Sequence, residues 1–256
     1  MSAPGLNPLS FNAWVQTIAS MAVVLTQETN GVYAFVDQPL QTILPQILSY
    51  AEGRIQRDLD LQAAQTTNTY TLTPNVQTFP LPINDFLIVN TVAVQAPGNI
   101  PLLPVSKEFI YNCFGGPGGQ GIPQYFALTG DNDGDGADTY NNILLGPSPN
   151  FAYGLAVTGT IRTPSLYTYA SPSVADTQYT YISSQLPDML VMASMIFISA
   201  FQRNFSATSD DTNMGQTYEK QYQALRLGAI PEENRKKQMG SGWSSYSTPT
   251  SATPTR

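Results

Sequence analysis

The acidic run at 131–136, with the sequence DNDGDG, offers the clearest set of oxygen ligands in the chain. Carboxylates at positions 1, 3 and 5 and a turn glycine at position 6 are typical of a calcium-binding loop. Position 12 is Asn142, where such a loop needs a bidentate glutamate, and strands rather than helices are predicted on both sides. We therefore favour an Asp- and Gly-rich hairpin loop at 131–138 over a calcium site.

The other reactive side chains do not combine into a catalytic set. The chain has no histidine, the commonest general base and metal ligand. Its single cysteine, Cys113, has no cation nearer in sequence than Lys107, so we expect a small buried apolar side chain rather than a reactive thiolate. The carboxylate pairs Asp58 with Asp60 and Asp210 with Asp211 fit capping or solvation at predicted helix ends.

The glycines at 116, 118 and 121 have the spacing of a nucleotide-binding loop. Pro117 interrupts them, however, and no clear strand precedes them or helix follows them, so a mobile loop over 115–121 is the better interpretation. We expect no cofactor and no metal, and we expect that the protein is not an enzyme.

Composition favours a protein that packs against other subunits. Hydrophobic residues make up 42% of the 256 positions, enough for a sizeable core, whereas charged residues make up only 11%. A net charge of −7 disfavours nucleic-acid binding. The apolar run at 189–201 is too short to span a membrane and no signal peptide is evident, so we expect a cytoplasmic protein before assembly and no membrane partner.

Hydrophobic periodicity predicts four helices. The first begins after the N-cap Ser10 and runs to about Leu25, and the second covers 43–59. The third, at 189–205, is apolar on nearly every face, so we expect a bundle or neighbouring subunits to enclose it. The fourth begins near Thr212 and stops at Gly228 before Pro231. The expected oligomer or bundle core on the third helix is Met189, Met192, Met195, Ile196 and Phe201.

Between these helices the pattern has the period of two that is typical of strands. Strands are predicted near 70–72, 86–94, 125–128, 143–145 and, most clearly, 153–162. The predicted fold class is α+β: a helical bundle from 1–65 and 182–228, an inserted antiparallel β domain at 66–181, and an extended C-terminal arm at 229–256.

The arm combines positive charge with aromatic side chains. Residues 227–256 carry a net charge of +2, whereas the rest of the chain carries −9. Either the segment is a loose disordered end, or it becomes ordered on an acidic groove of another protein. In the second case the predicted partner-binding residues are Arg235, Lys236, Lys237, Trp243 and Tyr246.

The order of these features resembles that of the head-to-tail adaptors of tailed phages, the class that includes the tail tubular protein A of short-tailed phages. The resemblance covers most of 44–243 and is carried by several segments, each weakly specific alone. They are LPQILSYAEGRIQRDLD at 44–60, TFPLPINDFLIVNTVAV at 78–94, GIPQYFALTG at 121–130, ILLGPSPNFAYGLAVTGTIRTPSL at 143–166, LPDMLVMASMIFISAFQRN at 186–204 and YEKQYQALRLGAIPEENRKKQMGSGW at 218–243.

The resemblance implies a structural virion protein at the neck of the particle. It implies a homo-oligomeric ring of twelve copies, with the helical bundle facing the portal protein and the β domain facing the tail tube or nozzle protein. The arm would bind the portal, and DNA would pass through the ring without sequence-specific binding. The first 40 residues and the loop at 131–138 have no counterpart in the family pattern.

The competing hypothesis is a calcium-supported carbohydrate- or surface-binding module of a phage tail. Its β domain would carry exposed tyrosines that can stack on sugars. The candidates are Tyr167, Tyr169, Tyr179 and Tyr181.

Overall fold

The computed structural model describes residues 8–82, 86–96, 98–115, 119–130, 141–202 and 211–240. The chain forms two compact units. The helical unit comprises the residues up to Gln62 and those from Ser165 onward, and the β unit comprises Ala63–Pro164. The fold class is therefore α+β, as predicted.

The first helix, α1 (Phe11–Ala22), begins where the sequence predicts it. The Ser10 hydroxyl accepts a hydrogen bond from the Ala13 N–H at 3.2 Å and so caps the helix. The buried residues of α1 are Phe11, Asn12, Trp14, Val15, Ile18 and Ala19. The helix ends three residues before the predicted Leu25, because Val23 adopts a left-handed conformation (φ 55°).

A hairpin that the sequence analysis treated as a linker follows α1. Strands β1 (Thr26–Thr29) and β2 (Val32–Phe35) pair antiparallel across Asn30 and Gly31, both at positive φ. An Asn-Gly pair between two short strands is typical of a tight hairpin turn, so the sequence could have predicted this hairpin. The side chain of Asn12 fixes the hairpin: it donates to the Gly31 carbonyl and accepts from the Tyr33 N–H, each at 2.9 Å.

Two helices, α2 (Gln38–Thr42) and α3 (Leu44–Asp58), complete the N-terminal part of the helical unit. Pro45 lies in the first turn of α3, where its missing N–H costs no helical hydrogen bond. Glu52 of α3 is buried, and its carboxylate accepts the Leu166 N–H at 2.7 Å. Burial raises the pKa of Glu52 more than this hydrogen bond lowers it.

The C-terminal part of the helical unit begins with a 3₁₀ turn (Leu166–Tyr169) and continues with α5 (Tyr181–Gln185), α6 (Pro187–Gln202) and α7 (Asp211–Gly240). Helix α6 packs against α1, α3, α5 and α7. At its centre the Trp14 indole N–H donates to the Ser194 hydroxyl at 3.2 Å within the core. The helix that is apolar all round therefore lies between elements from both ends of the chain.

Two predicted boundaries differ from the structure. The last helix does not stop at Gly228: α7 continues through Pro231 to Gly240, so the start of the expected extended arm is helical. A proline removes one helical hydrogen bond, and contacts beyond Pro231 offset that loss. The second difference is at 165–181, which was assigned to the β domain but belongs to the helical unit. Asn12 and Glu52 anchor this segment through Asp176 and Leu166.

The β unit contains two four-stranded sheets. Their order is β3-β12-β5-β6 in the first and β4-β10-β9-β7 in the second. Pairing is antiparallel except between β7 and β9. The strands are β3 (Gln65–Thr71), β4 (Thr78–Leu81), β5 (Ile88–Ala96), β6 (Gly98–Pro101), β7 (Leu103–Pro104), β9 (Tyr125–Gly130), β10 (Asn141–Gly146) and β12 (Gly154–Thr160), with the two-residue pair β8 (Gln120–Gly121) and β11 (Ser148–Pro149) beside them.

The core of the β unit lies between residues of these two sheets. Leu155 and Val157 of β12, Val92 and Val94 of β5, and Leu145 of β10 share one buried cluster, which confirms the alternation predicted for 153–162. Of the predicted glycine loop at 115–121, residues 116–118 lie outside the described ranges.

One helix in this unit was not predicted. Helix α4 (Lys107–Phe114), capped by Ser106, packs on β9 and β10 through Ile110. Cys113 lies on this helix and is exposed, so the expectation of a buried thiol was wrong.

The described ranges bring no three metal-ligating side chains together, and the loop at 131–138 lies outside them. Within the same ranges, no helix is both long and apolar enough to cross a bilayer.

Substitutions of Glu52 test how the helical unit holds the segment that follows the β unit. Glu52→Ala leaves the Leu166 N–H without its acceptor and should lower the free energy of unfolding by about 1–3 kcal/mol. Glu52→Gln keeps an acceptor and removes the buried charge, so it should cost less. Urea unfolding followed by circular dichroism at pH 7 gives both values, and an equal loss for the two variants would contradict the assigned role.

Candidate partner-binding site on helix α7

The structure divides the predicted partner-binding residues into two groups. Arg235, Lys236 and Lys237 lie in the last turns of α7, whereas Trp243 and Tyr246 lie outside the described residues. The contacts that attach α7 to the rest of the helical unit differ between the two halves of the helix.

The first half of α7 is fixed to α3 by a charged and aromatic cluster. The Arg54 guanidinium donates to the Glu219 carboxylate at 2.6 Å and lies over the Tyr222 ring, 4.3 Å from its centroid. The buried Tyr222 donates its hydroxyl proton to Asp58 at 2.8 Å. The hydrogen bond from Arg54 lowers the pKa of Glu219, while burial and the Asp58 carboxylate raise the pKa of Tyr222.

The second half of α7 is held by contacts to Glu233. This carboxylate is buried, with 2% exposure, and accepts from the Tyr181 hydroxyl and the Lys236 ammonium, each at 2.8 Å, and from the Gln62 N–H at 3.3 Å. Lys237 forms an ion pair with Asp60. We call Asp60, Tyr181, Glu233, Lys236 and Lys237 the ionic clasp.

Within the ionic clasp, the charged forms of Glu233 and Lys236 are stabilised. Burial acts to raise the pKa of Glu233, but hydrogen bonds from Lys236, Tyr181 and the Gln62 N–H outweigh it, so the pKa is lowered. Burial acts to lower the pKa of Lys236, but Glu232 and Glu233 raise it above its ordinary value. The clasp is therefore complete only where both groups are ionised.

Between the two attachments, α7 contains two residues that disfavour a helix. Pro231 lies inside the helix and cannot donate a backbone hydrogen bond, and Gly228 is exposed, with open space where a side chain would be. Leu227 beside them is 69% exposed. The ionic clasp supplies polar contacts to the part of the helix that follows this point.

The three predicted cations do not share one environment. Lys236 and Lys237 bind carboxylates of their own chain, as described above, whereas Arg235 is exposed and forms no ion pair with any residue in the described part of the chain. Glu232 and Glu233 precede Lys236 by four and three residues, a spacing that predicts ion pairs on one face of a helix. Nothing in the sequence pointed to Asp60 or Tyr181, because both are distant along the chain.

The predicted core residues of α6 also divide. Met189 and Met195 are buried, whereas Met192, Ile196 and Phe201 are half-buried. Met192 and Ile196 are one turn apart and lie on the same side of the helix. Among the described residues, the helices of the same chain supply most of the cover that α6 needs.

The tyrosines of the carbohydrate-binding hypothesis do not lie in the β unit. All four belong to the segment 165–181 of the helical unit. Tyr181 is part of the ionic clasp, and Tyr167 packs edge-on against Phe11 with 6.1 Å between ring centroids. The expected placement of these tyrosines in the β domain is therefore wrong, whereas Tyr167 and Tyr179 are exposed, as expected.

The comparisons identify the family. Residues 16–249 match the family model described as SU10 adaptor protein, so the chain belongs to this family of phage head-to-tail adaptors. The resemblance stated from the sequence is thereby confirmed. None of the curated proteins is significantly similar to this chain.

Glu233→Gln should loosen the end of α7. The variant loses the charged acceptor of three hydrogen bonds, so opening of residues 229–240 should become easier by about 1–2 kcal/mol at pH 7. Because folding lowers the pKa of Glu233, its contribution is complete above the ordinary pKa of a glutamate and is lost as the pH falls through the lowered value. The wild type should therefore approach the variant in acid.

Hydrogen exchange read by mass spectrometry across 229–240 at several pH values measures this opening. Glu232→Gln is the matched control, because the Glu232 side chain is 55% exposed and its one ion pair among the described residues is to Lys236. If both variants exchange like the wild type at pH 7, the ionic clasp does not hold the helix end.

Proposed function

We propose that the protein is a non-catalytic ring-forming adaptor at the neck of the phage particle, between the portal protein and the tail tube or nozzle protein. The end of α7 and the residues after it bind the portal. The observation that carries this proposal is the exposed Arg235 next to the ionic clasp, at the end of α7 that leads to Trp243 and Tyr246.

Charge supports an acidic partner surface for this segment. The chain carries −7 overall, but residues 227–256 carry +2. A locally positive end favours binding to a surface that is rich in carboxylates. Aromatic side chains such as Trp243 and Tyr246 are typical anchors at protein interfaces.

The ionic clasp fits the same function. Before assembly, it keeps Lys236 and Lys237 paired within the subunit, which reduces non-specific binding by these cations. Acidic side chains of the portal would compete with Asp60 for Lys237, since the Asp60 side chain is 71% exposed and its ion pair is screened by solvent.

The ring has twelve copies in this proposal, as the resemblance implies. Its helical bundle contacts the portal, and its β unit contacts the next tail component. DNA passes through without sequence-specific binding, in keeping with the net negative charge. The subunit stays in the host cytoplasm until assembly.

Removing residues 241–256 tests portal binding without cutting α7. Loss of two aromatic anchors should weaken the complex with the purified portal by at least about thirtyfold. Arg235→Ala should weaken it by about fivefold, and Lys220→Ala is the matched control, because Lys220 is an exposed cation of the first half of α7.

Biolayer interferometry with immobilised portal measures these affinities, and mass photometry of the complex counts the adaptor copies. Undiminished binding by the truncated protein would contradict the role given to the C-terminal segment. A complex with a copy number other than twelve would contradict the proposed twelve-copy ring but not the role of the C-terminal segment.

A further inference from the structure

The two four-stranded sheets of the β unit have four edges, and three of these edges are protected. Strand β6 has four residues and includes Pro101, β4 has four residues and includes Pro80, and β7 has two residues and includes Pro104. Short edge strands and edge prolines prevent an edge from pairing with another chain. The sequence therefore blocks strand addition at these three positions.

The fourth edge, strand β3, has none of these features. Its seven residues, QTTNTYT, include no proline, no glycine and no charged side chain. Four of them are threonine and one is tyrosine, residues that favour strands. Strand β3 pairs only with β12, and no backbone group in the described part of the chain hydrogen-bonds to its other side.

The pairing with β12 determines which backbone groups remain available. The Leu72 N–H donates to the Tyr153 carbonyl and the Ile161 N–H donates to the Ala64 carbonyl, both at 2.8 Å. Because the register is continuous, the even-numbered residues of β3 direct their N–H and C=O groups toward β12. The odd-numbered residues Gln65, Thr67, Thr69 and Thr71 direct theirs outward.

A second copy of β3 fits this edge. Antiparallel pairing centred on Asn68 places Gln65 opposite Thr71 and Thr67 opposite Thr69. All four residues have outward backbone groups, so each pair can exchange two hydrogen bonds. Cross-strand threonine pairs are favourable, and no like charges meet because the strand has none.

We propose that the free edge of β3 is a self-association site at which two copies of the chain pair through their β3 strands. This pairing is two-fold symmetric, so it closes after two copies, unlike the head-to-tail contacts that build a larger ring. It goes beyond the proposed adaptor function and does not depend on portal binding.

The test uses the full chain and two variants of one residue. Thr69→Pro removes an outward N–H without removing a bond to β12, and Thr69→Lys adds the charge that natural edge strands use for protection. Each should weaken dimerisation by at least about tenfold, Thr69→Pro because each copy loses one hydrogen bond and Thr69→Lys because two like charges are brought together in the pair. Thr91→Lys is the matched control, because Thr91 is exposed on the central strand β5.

Sedimentation velocity over a wide range of protein concentration measures the dimer. Circular dichroism of each variant checks the fold, and amide exchange followed by NMR provides a second readout. Protection of the Thr67 and Thr69 amides should rise with concentration, while the amides of Asn68 and Tyr70 should be protected at every concentration.

A chain that stays monomeric throughout would overturn the proposal. So would a dimer that Thr69→Pro and Thr69→Lys leave unchanged, or a larger ring without concentration-dependent protection of Thr67 and Thr69. None of these results would affect the portal-binding test, which is read from a different complex.

Discussion

The helical unit depends on covering α6, a helix with apolar side chains on nearly all sides. No single neighbour can bury such a helix, so several elements must surround it. Helices α1 and α3 come from the chain before the β unit, and α5 and α7 come from the chain after it. The bond from Trp14 to Ser194 joins the two parts inside the core. The β unit is therefore an insertion between segments that must meet.

The same constraint explains why α7 has two kinds of attachment. Its first half contributes Tyr222 to the core and binds Arg54 through Glu219, so it is part of the cover around α6. Its end, beyond Pro231, is attached by the ionic clasp, which salt and acid weaken. In the proposed function, this arrangement would keep the core intact while the end of the helix exchanges partners.

The sequence predicted the elements whose pattern is set by local burial. Helix α1 with its cap Ser10 and helix α3 expose one polar side and bury one apolar side, and the large apolar residues of strand β12 alternate along it, so the periodicity of all three was readable. Helix α4 was missed because it is short and buries only Ile110. Cys113 was misjudged for the same reason, since its exposure depends on that helix.

Contacts between residues that are distant along the chain could not be predicted from the sequence. The partners of the predicted cations Lys236 and Lys237 include Tyr181 and Asp60, which only the tertiary fold brings to α7. The end of α7 was misplaced because Gly228 and Pro231 are local signals of a helix end, and the distant contacts override them.

The division of the helical unit also sets an order of events during synthesis. The β unit is one continuous stretch, Ala63–Pro164, and its buried cluster is complete once those residues have left the ribosome. The helical unit must wait for α6 and α7, which are translated after the β unit. Until then the apolar faces of α1 and α3 lack their partners, and nascent chains are most exposed to chaperones and to one another during that interval.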